Sequence, residues 1–257
     1  MKTMLKSKLY RTGLMGYCLL LIVTKNPAQE LLSSDTTVIQ KEQKPAITLN
    51  KKAAACLKIY LKEYNNSLAA INERSESYFT IMDSVFTLYD LPVELKYLSV
   101  IESELKTSAK SHVGAIGLWQ LMPETAKWLG LKSKKNYDER RNVYKSTAAA
   151  ARYMKSLYDE FGDWLLVIAA YNAGSGRVHY AIRQSGSRNF WRLQNFLPAE
   201  TRNHVKKYIG AHYYFEGQGS LTTLTKAEFQ QYKKMVEDFM AKQSEENDGS
   251  TVIAVER

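Results

Sequence analysis

Apolar residues recur at three- and four-residue steps through most of the chain, the spacing of helices that bury one face. From Lys51 the steps run through Leu57, Tyr60, Leu61 and Tyr64, predicting a first helix after a polar, aperiodic linker over residues 31–50. A second helix is predicted around Tyr78 to Tyr89, where apolar residues at 79, 81, 82, 85, 86, 88 and 89 imply deep burial. The next, "DLPVELKYLSVIES", takes Pro92 at its first position, where a missing N–H costs nothing, and carries Leu95, Leu98, Ile101 and Leu105 on one face. "MPETAKWLGL" opens a helix at Pro123 that Gly130 is placed to end. In "AAAARYMKSLYDEF", Ser146 or Thr147 is the expected cap, with Tyr153, Met154, Leu157, Tyr158 and Phe161 inward and Gly162 as the stop. "DWLLVIAAYNAG" is apolar almost throughout, which places it at the centre of the domain. "ETRNHVKKYIGAHYYF" repeats the amphipathic step through Val205, Tyr208, Ile209 and His212. "TKAEFQQYKKMVEDFMAK" begins with a capping box from Thr225 to Glu228, and the tail from Ser244 reads as loose. Strand alternation is missing before the last few residues. The prediction is an all-α domain near 75–216 with additional N- and C-terminal helices.

A chain of 257 residues with 45% hydrophobic residues can build a core for one or two domains. Aromatic content of 11%, with 17 tyrosines, argues against disorder. The net charge of +10 is partly local, since residues 1–30 hold +4 and leave +6 for the rest. That excess suits an anionic polymer or surface, whether nucleic acid, lipid or cell wall, without selecting among them. Residues 1–28 read as an export signal or an N-terminal membrane anchor: Lys2, Lys6, Lys8 and Arg11 precede "GLMGYCLLLIV", which is too short to span a bilayer comfortably. An exported protein of the periplasm or cell envelope is expected. Cys18 falls in that segment and Cys56 stands alone, expected as a small buried residue, so the exported part cannot form an internal disulfide. Histidines 112, 179, 204 and 212 lack paired spacing, so neither a metal site nor a cofactor is expected.

The candidate chemistry centres on Glu102, at the edge of the apolar face that ends with Ile101. An acid kept from water holds its proton, and a proton-bearing carboxyl is what cleavage of an acetal needs. Beside it, "GAIGLWQ" sets Gly114 and Gly117 around a loop that lets backbone approach a ligand closely. Gln120 offers an amide for hydroxyls and N-acetyl groups, while Trp119 and Met122 offer apolar surface for sugar C–H faces. Tyr171 and Asn172, before the Gly174 stop, are either a satisfied helix end or part of the same site.

"ES" at 102–103, "SHVGAIGLWQ" from Ser111 to Gln120, "MPETA" from Met122 and "AYNAG" from Ala170 together resemble the lytic transglycosylase family, whose catalytic domain is related in fold to goose-type lysozyme. "YDERRNVYKSTAAAARYMKSLYDEFGDWLLVIAAYNAG" is similar to its membrane-bound murein transglycosylase D branch. The resemblance covers about residues 79–216 and implies a catalytic domain over 76–216. Before it come a linker and helix over 29–75; after it, a helix and flexible tail over 217–257. It implies Glu102 as sole catalytic acid and Ser111 as the serine that orients acid or substrate. Gly117, Leu118, Gln120 and Met122 would line the groove, Tyr171 and Asn172 would face the reacting sugar, and Glu200 would be a groove acid near the peptide stem. Trp119 stands where other branches carry methionine, and His204 where relatives usually have tyrosine, which puts that outer subsite in question. The implied partner is the glycan strand of peptidoglycan; no protein partner is predictable.

The implied reaction uses one carboxyl as acid and then base, forming a 1,6-anhydro sugar. Asp138, Glu139, Asp159, Glu160 and Asp163 lie on solvated-looking stretches and none pairs convincingly with Glu102. A lysozyme-like hydrolase and a non-catalytic wall-binding protein are the alternatives. A nucleic-acid binder is disfavoured, because the basic residues show no stripe with interleaved aromatics.

Overall fold

The computed structural model describes residues 45–134 and 137–253, with side chains described up to residue 244. The signal or anchor read over residues 1–28, Cys18 with it, and most of the 31–50 linker lie outside the described residues.

Helix α1 is Lys51–Leu88, a single helix of 38 residues where two were expected. Asn50 caps it, its Oδ1 accepting from the Ala53 N–H at 3.0 Å. Polar residues 65–67 and 72–77 mask the periodicity, yet Leu68, Ile71 and Ser75 carry a buried line across the gap. Without glycine or proline in that stretch, nothing stops the helix. The expected boundary near residue 75 therefore falls inside α1. Its end is less enclosed than predicted, with Leu88 left exposed.

Pro92 precedes a 3-10 turn, Val93–Lys96, rather than starting an α-helix, and α2 is only Tyr97–Ser103. It stops because Glu104 and Leu105 both take left-handed backbone, with φ of 53° and 59°. Leu105 is buried, but from this turn and not from the helical face. Helix α3, Pro123–Trp128, leads into a two-residue antiparallel ladder of β1, Ser133–Lys134, and β2, Tyr137–Asp138. Strands this short show no alternation, so the expectation of none before the chain's end is corrected here.

Helix α4 is Val143–Phe161, capped by Asn142 rather than by Ser146 or Thr147. Both hydroxyls sit inside its first turns and bond back to the Asn142 and Val143 carbonyls. Tyr158, expected inward, stays partly exposed and stacks on Trp164 at 4.1 Å. Helix α5, Trp164–Ala173, is the predicted central helix: every side chain from Trp164 to Ala170 is buried. Its cap Asp163 is itself buried, accepting from the Leu165 and Leu166 N–H groups and from Lys226 N–H.

Two helices were not predicted: α6, Ser175–Ser185, and α7, Phe190–Leu193. Gly174 ends α5 but only turns the chain into α6, which buries just Val178 and Ala181 and so shows a weak apolar step. Helix α8 is Ala199–Glu216, and α9 is Lys226–Ile253. The predicted capping box is present, with Thr225 N–H donating to Glu228 Oε2 at 2.8 Å and Glu228 N–H to Thr225 Oγ1 at 3.3 Å. The backbone of α9 stays helical past Ser244, where a loose tail was expected.

Helices α4, α6 and α8 surround α5, and α1 packs across both α4 and α8. The α1–α8 crossing is tight: a Cβ on Gly210 would meet the Tyr60 ring at 2.1 Å. Only glycine lets the two helices approach so closely. Among the described residues, no helix is long and apolar enough to cross a membrane.

Candidate active site

Glu102 lies in the last turn of α2, with 14% of its side chain exposed. Its Oε1 is 2.9 Å from Nε2 of His204, which reaches in from α8 and is itself nine-tenths buried. The pair sits on the wall of a cleft of about 590 Å³. Ile101 and Glu102 contribute from α2, and Ser111, Val113, Ala115, Gln120 and Met122 from the loop before α3. Tyr171 and Asn172 close one side from the end of α5, and Glu200, Asn203, His204 and Lys207 the other from α8.

The residue after the acid fastens α2 to the loop, as the Ser103 hydroxyl donates to the Leu118 carbonyl at 2.9 Å. The loop is closed on itself by Ser111 and Ala115, which exchange a backbone bond while the Ser111 hydroxyl accepts the Ala115 N–H at 2.9 Å. From behind, Arg140 donates to the Gly114 and Leu121 carbonyls at 3.0 Å each, held in place by Asp138 at 2.7 Å. Gly117 lies so close to this segment that a Cβ would stand 2.0 Å from the Arg140 carbonyl oxygen, and its φ is +84°. Gly117→Ala is accordingly expected to cost about 1–3 kcal/mol of stability by overpacking and backbone strain, read as a fall in the unfolding midpoint.

Asp138 and Glu139 therefore do not lie on a solvated stretch as expected; they belong to a largely buried network. The Lys145 ammonium and the Lys132 N–H hold the Glu139 carboxyl down to about 2. Asp163 is likewise a buried cap. None of these three lines the cleft.

Of the predicted site residues, Glu102, Ser111, Gln120, Met122, Tyr171, Asn172 and Glu200 are brought together in the cleft. Gly117 and Leu118 are not. Gly117 backs onto Arg140, and Leu118 is wholly buried, so both shape the loop from beneath. Trp119 is also core: its Nε1 donates to Thr147 at 3.0 Å and its ring meets Phe86 edge-on at 5.7 Å. Met122 supplies the exposed apolar surface instead.

The polar groups of the cleft are set in definite roles. Gln120 holds left-handed backbone at φ 44°, and its Nε2 donates to the Gly117 carbonyl at 2.8 Å, leaving its side-chain oxygen to accept. Asn172 accepts the Thr201 hydroxyl at 2.8 Å, leaving its NH2 to donate. Burial, with the Glu102 carboxylate adding to it, pushes the Tyr171 phenol well above its ordinary range. Tyr171 thus stays neutral and braces the loop by donating to the Trp119 carbonyl at 2.7 Å. Around Glu102 the cleft thus offers neutral donors and acceptors from Gln120, Tyr171 and Asn172, with Glu200 and Lys207 on the α8 side.

Sequence reasoning set His204 at an outer subsite and did not foresee its contact with the acid; in the structure it meets Glu102 directly. The available signal was its spacing from Glu200: residues four apart on α8 share a face.

Residues 88–194 match the family model of the transglycosylase SLT domain. The membrane-bound lytic murein transglycosylase D of Escherichia coli strain K12 is 38% identical over 176 residues, covering 66% of this chain and 38% of that protein. The soluble lytic murein transglycosylase of the same strain is 31% identical over 121 residues, covering 44% of this chain and 19% of that protein. The chain thus spans well under two thirds of the length of either relative. The solved 70-kDa soluble lytic transglycosylase in complex with bulgecin A superposes with a TM-score of 0.52 at 20% identity, covering 70% of this chain and 33% of that one, a likeness of fold. Residues 88–194 thus match the transglycosylase SLT domain, within an all-α chain whose fold is similar to that of the soluble lytic transglycosylase.

Proposed function

We propose that the chain is a peptidoglycan lytic transglycosylase, cutting the β-1,4 bond from N-acetylmuramic acid to N-acetylglucosamine and leaving 1,6-anhydro-muramyl ends. The observation that carries this reading is Glu102 itself, largely shielded from solvent and held at 2.9 Å by His204 in a cleft of sugar-binding size and polarity. Similarity to proteins named as lytic murein transglycosylases supports it.

In the first step the Glu102 carboxyl gives its proton to the bridging oxygen as the bond from muramyl C1 breaks, and N-acetylglucosamine leaves through its O4 hydroxyl. The substrate's own 2-acetamido oxygen supports the charge developing at C1. Glu102, now a carboxylate, takes the proton of the muramyl C6 hydroxyl as that oxygen closes on C1. The enzyme ends as it began. His204 fixes Oε1, and Oε2 has no protein partner among the described residues, which leaves it for the substrate. Ser111, Gln120, Tyr171 and Asn172 would place the muramyl residue, and the buried Gly117 and Leu118 would act only through the shape of the loop. Such a substrate puts the working protein in the cell envelope, exported or anchored through its N-terminus.

Hydrolysis is the second reading, favoured by Glu200, a second carboxylate lining the same cleft. Digestion of isolated sacculi by wild type and Glu102→Ala, with the chain ends identified by mass, separates the two. Anhydro ends made only by wild type support the lyase; reducing muramyl ends without anhydro ends overturn it.

A further inference from the structure

A second groove, of about 380 Å³, runs between α1 and α8. Its walls are Tyr60, Glu63 and Tyr64 from α1 and Asn203, Lys206 and Lys207 from α8. Asn203 and Lys207 also line the catalytic cleft, so the two depressions share one wall. The groove lies outside residues 88–194, in parts of the chain that the family model does not reach.

The groove is firmly built. Tyr60 is held against α8 by the Gly210 contact, and its ring stacks on Tyr64 with centroids 4.7 Å apart. Lys207 Nζ lies 5.2 Å from the Tyr64 ring centre, so a cation stands over an aromatic face where groove meets cleft. Lys206 stands beside it, and the acid Glu63 comes from α1. Neither lysine has a carboxylate partner within the described residues.

A ligand for this surface needs carboxylates for two ammonium groups, an amine for Glu63 and some apolar area for the rings. The sugar backbone of stem-substituted glycan, its lactyl carboxyls tied up as amides, offers none of these charges. The short peptide borne by the muramyl lactyl group offers all of them when it carries acidic residues and a diamino acid. Reach is adequate. Helix α8 rises about 1.5 Å per residue, so the lysines lie ~3–5 Å further along the axis than His204. A three- or four-residue peptide extends ~10–14 Å.

We infer that the α1–α8 groove binds the peptide stem of the muramyl residue seated in the catalytic cleft, Lys206 and Lys207 taking its carboxylates and Glu63 its amine. The inference rests on the lytic transglycosylase reading for the nature of the substrate, and stem binding guides stem-bearing glycan to Glu102.

The test compares intact sacculi with glycan freed of its stems by an amidase and capped as the primary amide at the lactyl carboxyls this exposes, for wild type, Lys206→Glu and the milder Lys206→Ala. Far-UV circular dichroism and melting curves check folding, which these partly exposed positions should leave unchanged. The expected result is a KM on stem-bearing glycan raised about tenfold in Lys206→Glu and less in Lys206→Ala, with kcat unchanged and no effect on stem-free glycan. Free disaccharide tetrapeptide, titrated by NMR, should bind wild type and lose about tenfold in affinity with Lys206→Glu. Equal KM values for all three proteins on stem-bearing glycan overturn the inference, as does an equal KM change on stem-free glycan, which marks a glycan subsite instead. A tenfold loss of tetrapeptide binding together with reducing rather than anhydro ends leaves the groove assigned and removes the lyase reading.

Discussion

Glu102→Gln is expected to lower the rate of sacculus digestion by at least about 10³-fold, because the substitution removes the donor of the first step and the acceptor of the second together. Glutamine is nearly isosteric and can still hydrogen-bond His204 Nε2, so the fold and the cleft should survive. The measurement is the initial rate of release of soluble muropeptides, beside a melting curve within a few degrees of wild type and retained binding to sacculi. Loss of activity with binding retained assigns the chemistry to this carboxyl. Full lysis by the variant would move the acid elsewhere in the cleft, Glu200 being the next candidate, and would remove the basis of the proposed mechanism.

The second large effect is expected at His204. His204→Phe keeps a ring of similar size in a nine-tenths buried position but removes the contact at 2.9 Å from Glu102 Oε1. Misplacing a reacting group by about 1 Å can cost ~10²-fold, so kcat should fall ~10- to 100-fold with KM little changed. A loss of packing would do the same, and His204→Gln, which restores a side-chain donor toward Glu102 Oε1, is what distinguishes them. Recovery of kcat toward the wild-type value with Gln but not with Phe assigns the effect to the contact. Equal losses in the two variants would reduce His204 to a packing residue.

Local grammar in the chain marked α5, α8 and the α9 capping box clearly, since an unbroken apolar run, a steady amphipathic step and a Thr-x-x-Glu box each report their own structure. Helix α1 was read as two because its middle is polar; the buried Leu68 and Ile71 are too few to sustain a pattern that only tertiary packing completes. Helix α6 escaped for the opposite reason, since a glycine read as a stop also permits an abrupt change of direction into a new helix. At the site, residues within one stretch of chain were legible together, and the cleft does unite Glu102 with Ser111, Gln120 and Met122. What stayed hidden came from pairings distant in sequence. His204 is 102 residues from Glu102, and Arg140 reaches 26 residues back to the Gly114 carbonyl. Buried charges of that kind look solvated in sequence, because their partners, not their neighbours, make burial tolerable.

The central claim is that a single shielded carboxyl cleaves the glycan by closing muramyl O6 onto C1, with no water entering the bond. Digestion of sacculi in water enriched in oxygen-18, followed by mass analysis of the muramyl ends, tests it most directly. The predicted result is anhydro ends carrying none of the heavy isotope; muramyl ends labelled at C1 would contradict it.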